Sequence, residues 1–148
     1  MHLSEIERRD QVLRTYFRGR NWDTNSEYAL KQKLVCESLQ LLPRYRYLIE
    51  DEWEVVSNRT DQGRGDLVFT DGDRAFATIE VKWIDLPDSN RNSSTVQVSR
   101  RKKRRKVEEQ AAKYATLYAK KRNLCLEAVE AFIFTNECDR PCPITVYY

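Results

Sequence analysis

The spacing of apolar residues changes at Pro43, and this change restricts the fold class more than any other feature of the chain. Before Pro43, apolar residues recur as they do in amphipathic helices, with one capping box beginning at Ser4 and a second at Thr24. After Pro43, apolar and polar residues alternate with a period of two, which is typical of half-buried strands. We therefore expect an α/β domain in which helices pack on a sheet.

Five strands are predicted, and a further helix separates the first three from the last two. The turn sequence Asp71-Gly72-Asp73 makes the second and third strands a hairpin. The fourth strand is apolar on both faces, like the buried centre of a sheet. The order is ααβββαββ, a central mixed β-sheet flanked by helices, in a single domain that spans residues 1–148. In residue numbers, the strands are expected at 53–57, 65–70, 75–83, 128–135 and 144–148, the helix at about 102–122, an N-terminal helical extension at 1–20 and a polar loop insertion at 85–99.

Histidine and cysteine usage excludes several classes of enzyme. His2 is the single histidine, so no central histidine is present to serve a Ser-His-Asp or Cys-His apparatus. Of the four cysteines, only Cys138 and Cys142 are close in sequence. A metal site or a disulfide would fit that pair, but free thiols are favoured because zinc sites usually have tighter, paired spacings. Any catalysis must then use carboxylates, lysines and a bound metal.

The apolar segments are too short for a membrane protein. None approaches the roughly 18 residues that cross a bilayer, and the N-terminal segment lacks the apolar core of a signal peptide. We expect an intracellular protein with no membrane partner, located in the nucleus if the source is eukaryotic and in the cytoplasm otherwise.

The net charge of +3 conceals a separation of charge along the chain. Residues 100–106 are seven consecutive cations, and the rest of the chain carries 19 basic and 23 acidic residues, a net charge of −4. Because adjacent like charges repel, this basic run is expected to fray when no anion is bound. A solvated surface, a nuclear import signal and phosphate contacts all fit such a run. The residues expected to contact nucleic acid are Arg100, Arg101, Lys102, Lys103, Arg104, Arg105 and Lys106.

A pair of carboxylates beside a lysine is the constellation that suggests chemistry. Side chains alternate along a strand, so Glu80 and Lys82 share one face while Ile79 and Val81 face a core. Asp66 reaches the face of Glu80 only if the hairpin loop has an odd number of residues. A five-residue loop places Asp66 directly opposite Glu80, and a three-residue loop places it on the diagonal. Two carboxylates this close repel unless a cation joins them, and Mg²⁺ or Mn²⁺ suits oxygen ligands.

These residues form a recognisable motif. Gly65-Asp66 followed by Glu80-Val81-Lys82, on a hairpin with a helix before and after it, resembles the PD-(D/E)XK nuclease superfamily, which has the restriction-endonuclease-like fold. The resemblance implies that Asp66 and Glu80 are metal ligands and that the Val81 carbonyl is a further ligand. It also implies that Lys82 is the catalytic lysine.

The resemblance covers roughly residues 24–148 and extends to both flanking helices. Family members often add a glutamate from the first core helix. Glu27 matches best, because it lies near the middle of the apolar stripe of that helix, and Glu37 is the reserve. In the later helix, Gln110 and Tyr114 are similar to the Gln-x-x-x-Tyr signature of RecB-like and Cas4-like exonuclease domains, and their spacing puts them on one helix face.

The motif departs from the family pattern at Gly65, which stands where the family has a proline, and the insertion at 85–99 leaves the subfamily unassigned. The resemblance implies a metal-dependent nuclease that hydrolyses phosphodiester bonds in DNA, with Mg²⁺ or Mn²⁺ as cofactor. RNA as a substrate and the choice between endonuclease and exonuclease stay open. The alternatives are a catalytically inactive nucleic-acid-binding module of the same fold, or an adaptor protein with a basic import signal. A domain this small offers little surface for reading a DNA sequence, and a homodimer or a partner chain would enlarge that surface.

Overall fold

The computed structural model describes residues 1–20, 25–56, 59–84 and 93–146. The helices are α1 (Leu3–Gly19), α2 (Ser26–Cys36), α3 (Ser38–Leu41) and α4 (Ser93–Arg122), with a 3₁₀ turn at Leu126–Ala128. The strands are β1 (Tyr47–Val56), β2 (Arg59–Thr70), β3 (Phe76–Lys82), β4 (Val129–Thr135) and β5 (Cys142–Ile144). Within these ranges, no helix has the length and apolar character that crossing a membrane requires.

The five strands form one mixed sheet in the order β1-β2-β3-β4-β5. Neighbouring strands are antiparallel except for β3 and β4, which are parallel. A parallel pair needs a long crossover connection, and α4 lies within the connection between these two strands. The predicted α/β class, with a mixed sheet flanked by helices, is therefore confirmed.

Helices cover both faces of the sheet, which gives the domain two main apolar cores. In the first core, Leu34 of α2 packs with Ile79 and Val81 of β3. In the second core, Tyr118 of α4 packs against the opposite face of the sheet. Ile79 and Val81 thus face a core, as predicted. The other face of β3 is not a solvated surface either, because Glu80 on it is only 4% exposed.

The starts of the first two helices differ from the predicted capping boxes. α1 begins at Leu3, and the carbonyl of His2 accepts its first backbone hydrogen bonds, so the predicted cap at Ser4 is wrong. Ser4 lies inside the first turn, where its side chain cannot cap. α2 is capped by Asn25, whose side chain accepts from the amides of Glu27 and Tyr28. Thr24, the predicted cap, lies outside the described residues.

α4 has 30 residues and begins at Ser93 instead of near Lys102. The predicted loop is therefore wrong for 93–99, and its part at 85–92 lies outside the described residues. Residues 93–99 have no apolar stripe and consist mainly of serine, threonine and valine, which are only moderate helix formers, so no local signal reveals the helix. The basic run is helical and not frayed, since each residue of a helix is rotated by about 100° from the last and successive cations point apart.

The strand ends also differ from the predictions at the edges of the sheet. β1 begins at Tyr47 and β2 at Arg59, so both are longer than expected. β5 comprises Cys142–Ile144 and not 144–148, of which the last two residues lie outside the described part. Pairing partners fix these ends, since Tyr47 is held in β1 by its pairing with Thr70 on β2.

Candidate active site

The hairpin of β2 and β3 brings the two motif carboxylates together. Thr70 pairs with Phe76 across a five-residue loop, in which Gly72 has a φ of +91° that favours glycine. The same register, continued beyond the last paired residues, puts Asp66 opposite Glu80. The required odd-numbered loop is therefore confirmed, and it is the five-residue version.

Beyond the last paired residues, Leu67 and Ile79, hydrogen bonds between backbone amides and carboxylate side chains join β2 and β3. The amide of Asp66 donates to Glu80 Oε1 at 3.1 Å, and the amide of Val81 donates to Asp66 Oδ2 at 2.8 Å. Each carboxylate is thus fixed by the backbone of the opposite strand. These two hydrogen bonds hold the carboxylates of Asp66 and Glu80 in fixed positions beside each other.

The environment of Glu80 disfavours its ionised form. Burial of the side chain, and next the neighbouring Asp66 carboxylate, raise the pKa of Glu80 to about 9. The hydrogen bond from the Asp66 amide and the charge of Lys31 oppose this shift without cancelling it. Glu80 therefore keeps its proton at neutral pH in the metal-free protein, and a cation beside it would favour ionisation.

Two further residues belong to the site, and the sequence analysis missed both. Lys31 of α2 is 8% exposed, and its Nζ lies 2.9 Å from Asp51 Oδ1 and 3.2 Å from Asp66 Oδ1. Burial by itself lowers the pKa of Lys31, but Asp66 and Asp51 outweigh it and the pKa is raised. Burial raises the pKa of Asp51 despite this lysine. A signal did exist, because Lys31 interrupts the apolar stripe one turn after Glu27.

Lys82 and Glu27 both line the cleft above the carboxylates, but they are paired with each other. Lys82 Nζ lies 3.2 Å from Glu27 Oε1, and the side chains are 51% and 44% exposed. Exposed ion pairs of this kind contribute about 0–1 kcal/mol, so either partner can be exchanged for a ligand. The reserve residue Glu37 is exposed just beyond the other end of α2 and does not line the cleft.

Gln110 and Tyr114 of α4 lie at the edge of the same site. Gln110 lines the cleft, and its side chain lies close enough to Tyr114 to affect the pKa of the phenol, which agrees with their predicted common face. Burial and then the Glu80 carboxylate raise the pKa of Tyr114, although the neighbouring Gln110 side chain opposes the shift. The ring of Tyr114 packs edge-on against Trp53 at 6.0 Å, so this residue also belongs to the core.

The basic run is divided between two surroundings. Lys103 and Lys106, together with Arg64 of β2, line the cleft of about 750 Å³ that contains the carboxylates. Arg104 instead donates to Glu137 at 3.0 Å, in the segment after β4. The run is therefore not one uniform patch, because helical geometry turns only some of its residues toward the cleft.

Gly65 is explained by the neighbouring strand. It pairs with Trp53 of β1, and a Cβ atom at position 65 would lie 2.2 Å from the indole ring. The ring occupies the space that a side chain would fill. The departure from the motif proline thus has a packing reason.

Within the described ranges, no group of three or more histidine, cysteine, aspartate or glutamate side chains is arranged to hold a metal ion. The carboxylates that meet at the floor of the cleft are those of Asp66 and Glu80, and the four cysteines are free thiols. The chain matches no protein-family model, and no significant match was found among curated proteins or solved structures. Its function must be argued from the site.

Proposed function

We propose that this protein is a metal-dependent nuclease of the restriction-endonuclease-like fold, which hydrolyses phosphodiester bonds in DNA. The observation that carries the proposal is the interlocked pair of Asp66 and Glu80 at the floor of a cleft with a cationic rim. Acidic residues in a cleft for a polyanion would repel the substrate unless a cation is bound between them. That combination favours metal-assisted phosphoryl chemistry over simple binding.

The two carboxylates fit Mg²⁺ or Mn²⁺ although no third acidic side chain of the described part of the chain completes a metal-binding group with them. Mg²⁺ keeps several water molecules and is commonly held by one or two carboxylates together with substrate phosphates. Asp66, Glu80 and the Val81 carbonyl are the ligands that the motif implies. When bound, the ion supplies Lewis-acid stabilisation of the charge that develops on the phosphate.

Lys82 is proposed to orient the attacking water by donating a hydrogen bond from Nζ. It lines the same cleft and is half-exposed, so a water or a phosphate oxygen can reach it. Its pairing with Glu27 is exchangeable, because an exposed pair is weak. On release, Glu27 is then available to the metal ion or to its water shell.

The phosphate backbone is proposed to lie between α4 and β2. Lys103 and Lys106 line the cleft from α4, and Arg64 lines it from β2. The N-terminal turn of α2 lines it as well. Cations and helix N-termini both favour phosphate groups. Gln110 also lines the cleft, where it can contact a DNA strand bound beside the carboxylates.

A second candidate function, a nucleic-acid-binding module that does not cut, has one observation in its favour. Lys82 is occupied by Glu27, and the described residues contain no cluster of three metal-binding side chains. A protein that only binds would use the same cationic rim. It would have no need for an ionised Glu80.

Cleavage and binding assays on matched variants distinguish these functions. Wild-type protein is expected to cleave plasmid and oligonucleotide DNA with Mg²⁺ and to bind it without cleavage in EDTA. Lys82→Ala should lose about 100-fold or more in cleavage rate at unchanged binding. Lys120→Ala, an exposed lysine on α4 outside the cleft, serves as the control.

The outcomes separate the alternatives. Cleavage by Lys82→Ala at the wild-type rate would show that the proposed role of this lysine is wrong. Binding without any cleavage would favour the second candidate. A protein that neither binds nor cleaves DNA at low salt would overturn both, and RNA should be tested in parallel.

A further inference from the structure

A lysine is buried between two aspartates, one of which, Asp66, lines the cleft. Lys31 Nζ contacts Asp51 Oδ1 at 2.9 Å and Asp66 Oδ1 at 3.2 Å, and its side chain is 10% exposed. The three residues come from α2, β1 and β2, so the ammonium group ties together three elements. Neither Lys31 nor Asp51 belongs to the hairpin motif.

Lys31 completes the fixation of Asp66. One oxygen of this carboxylate accepts from the Val81 amide, and the other is held by Lys31. With both oxygens engaged, the carboxylate has a defined rotation, which is what a metal ligand needs. The position of Asp66 therefore depends on Lys31, and through it on Asp51.

The ammonium also lies where a second divalent cation would bridge the aspartates. Both Oδ1 atoms contact a single nitrogen, so they are no further apart than the two distances combined, about 6 Å. A Mg²⁺ ion that joined two carboxylates would need oxygen atoms about 4 Å apart on either side of it. A modest movement of the two carboxylates would be enough to bind such an ion, but Lys31 Nζ occupies the space between them.

We propose that Lys31 is a built-in cation that positions Asp66 and limits the site to one divalent metal ion per chain. This inference rests on the proposed metal site at Asp66 and Glu80. Lys31 is a positioning residue, because it acts on the metal through Asp66.

Counting bound Mn²⁺ by electron paramagnetic resonance tests the inference without any measurement of cleavage. Wild-type protein should bind one ion, and Lys31→Met should bind two, because the Asp51 and Asp66 carboxylates then face each other unpaired. The double variant Lys31→Met/Asp51→Asn should bind one ion again, about 10- to 100-fold more weakly than wild type because Asp66 has lost its anchor. Lys33→Met, an exposed lysine on the same helix, should match wild type.

Each outcome bears on a distinct claim. Two ions on wild-type protein, or one ion on well-folded Lys31→Met, would overturn the limit to one metal. Unchanged affinity in the double variant would overturn the positioning role. If Lys31→Met does not fold, the wild-type count and the double variant still decide. Wild-type protein that binds no Mn²⁺ would instead overturn the proposed function, so the two failures are distinguishable.

Discussion

Replacing Glu80 with glutamine should stabilise the metal-free protein at neutral pH. The pKa of Glu80 is raised from 4.5 to about 9, so the folded protein holds a proton here that the unfolded chain has released. At pH 7, which is 2.5 units above the ordinary pKa of 4.5, and at about 1.4 kcal/mol per unit, this proton uptake lowers the free energy of unfolding by about 3 kcal/mol. Glutamine reproduces the neutral, hydrogen-bonding form of the buried side chain and has no proton to lose.

The sign of the pH dependence follows from the direction of the shift. A carboxyl with a raised folded pKa stabilises the fold below pH 4.5, and that stability declines as the pH rises toward about 9. The gain from Glu80→Gln should therefore be near zero at pH 4.5 and should increase by about 1.4 kcal/mol per pH unit up to pH 9. At pH 7, a gain of about 3 kcal/mol should raise Tm by roughly 6–12 °C in a domain of this size.

Thermal or urea unfolding followed by circular dichroism, in EDTA and across this pH range, measures the effect. Glu7→Gln, at an exposed position of α1, is the control and should change stability by less than about 0.5 kcal/mol. The reasoning would be refuted if wild type and Glu80→Gln gave parallel stability curves against pH. A lower stability of the variant at pH 7 would refute it as well.

Three further predictions concern packing, binding and metal affinity. Gly65→Ala should destabilise the domain by about 1–3 kcal/mol in urea unfolding, since its methyl group would overlap the Trp53 ring; unchanged stability would mean that the ring moves freely. Lys106→Ala should make the fall of log K with log salt in DNA binding less steep by about one unit of slope, whereas Lys120→Ala should leave the slope unchanged. Equal slopes for wild type and both variants would exclude Lys106 from the interface. Mg²⁺ affinity, measured by calorimetry, should rise by up to about tenfold per pH unit below the pKa of Glu80, because the carboxyl must lose its proton to bind; an affinity independent of pH would contradict this role.

The hairpin was accessible to sequence analysis because all of its determinants are local. Alternation along β3 puts Glu80 and Val81 on opposite faces whatever the rest of the chain does. The turn signal around Gly72 restricts the loop to a few lengths, and only odd lengths join Asp66 to the face of Glu80. These rules depend on neighbouring residues, and the structure agrees with them.

The ends of several elements were wrong where partners, and not local pattern, decide them. Neither residues 93–99 nor the basic run that follows has an apolar stripe, and the sequence therefore predicts a loop at 93–99, where α4 begins. The same absence concealed how the run divides, with Lys106 at the cleft and Arg104 bound to Glu137. Which face of a helix meets the sheet depends on the whole packing arrangement.

By itself, the sequence determined the α/β class and the segregation of positive charge, since both follow from spacing along the chain. It made Asp66 and Glu80 a facing pair only on condition that the hairpin loop has an odd number of residues, and the structure decided that length. Only the tertiary structure decided that Lys31 and Asp51 enter the site, and that Glu27 is paired with Lys82. These contacts join α2 to three strands that follow it, at separations that no local periodicity encodes. The hydrophobic packing of α2 on the sheet fixes that geometry, and it thereby positions the charged side chains that α2 carries.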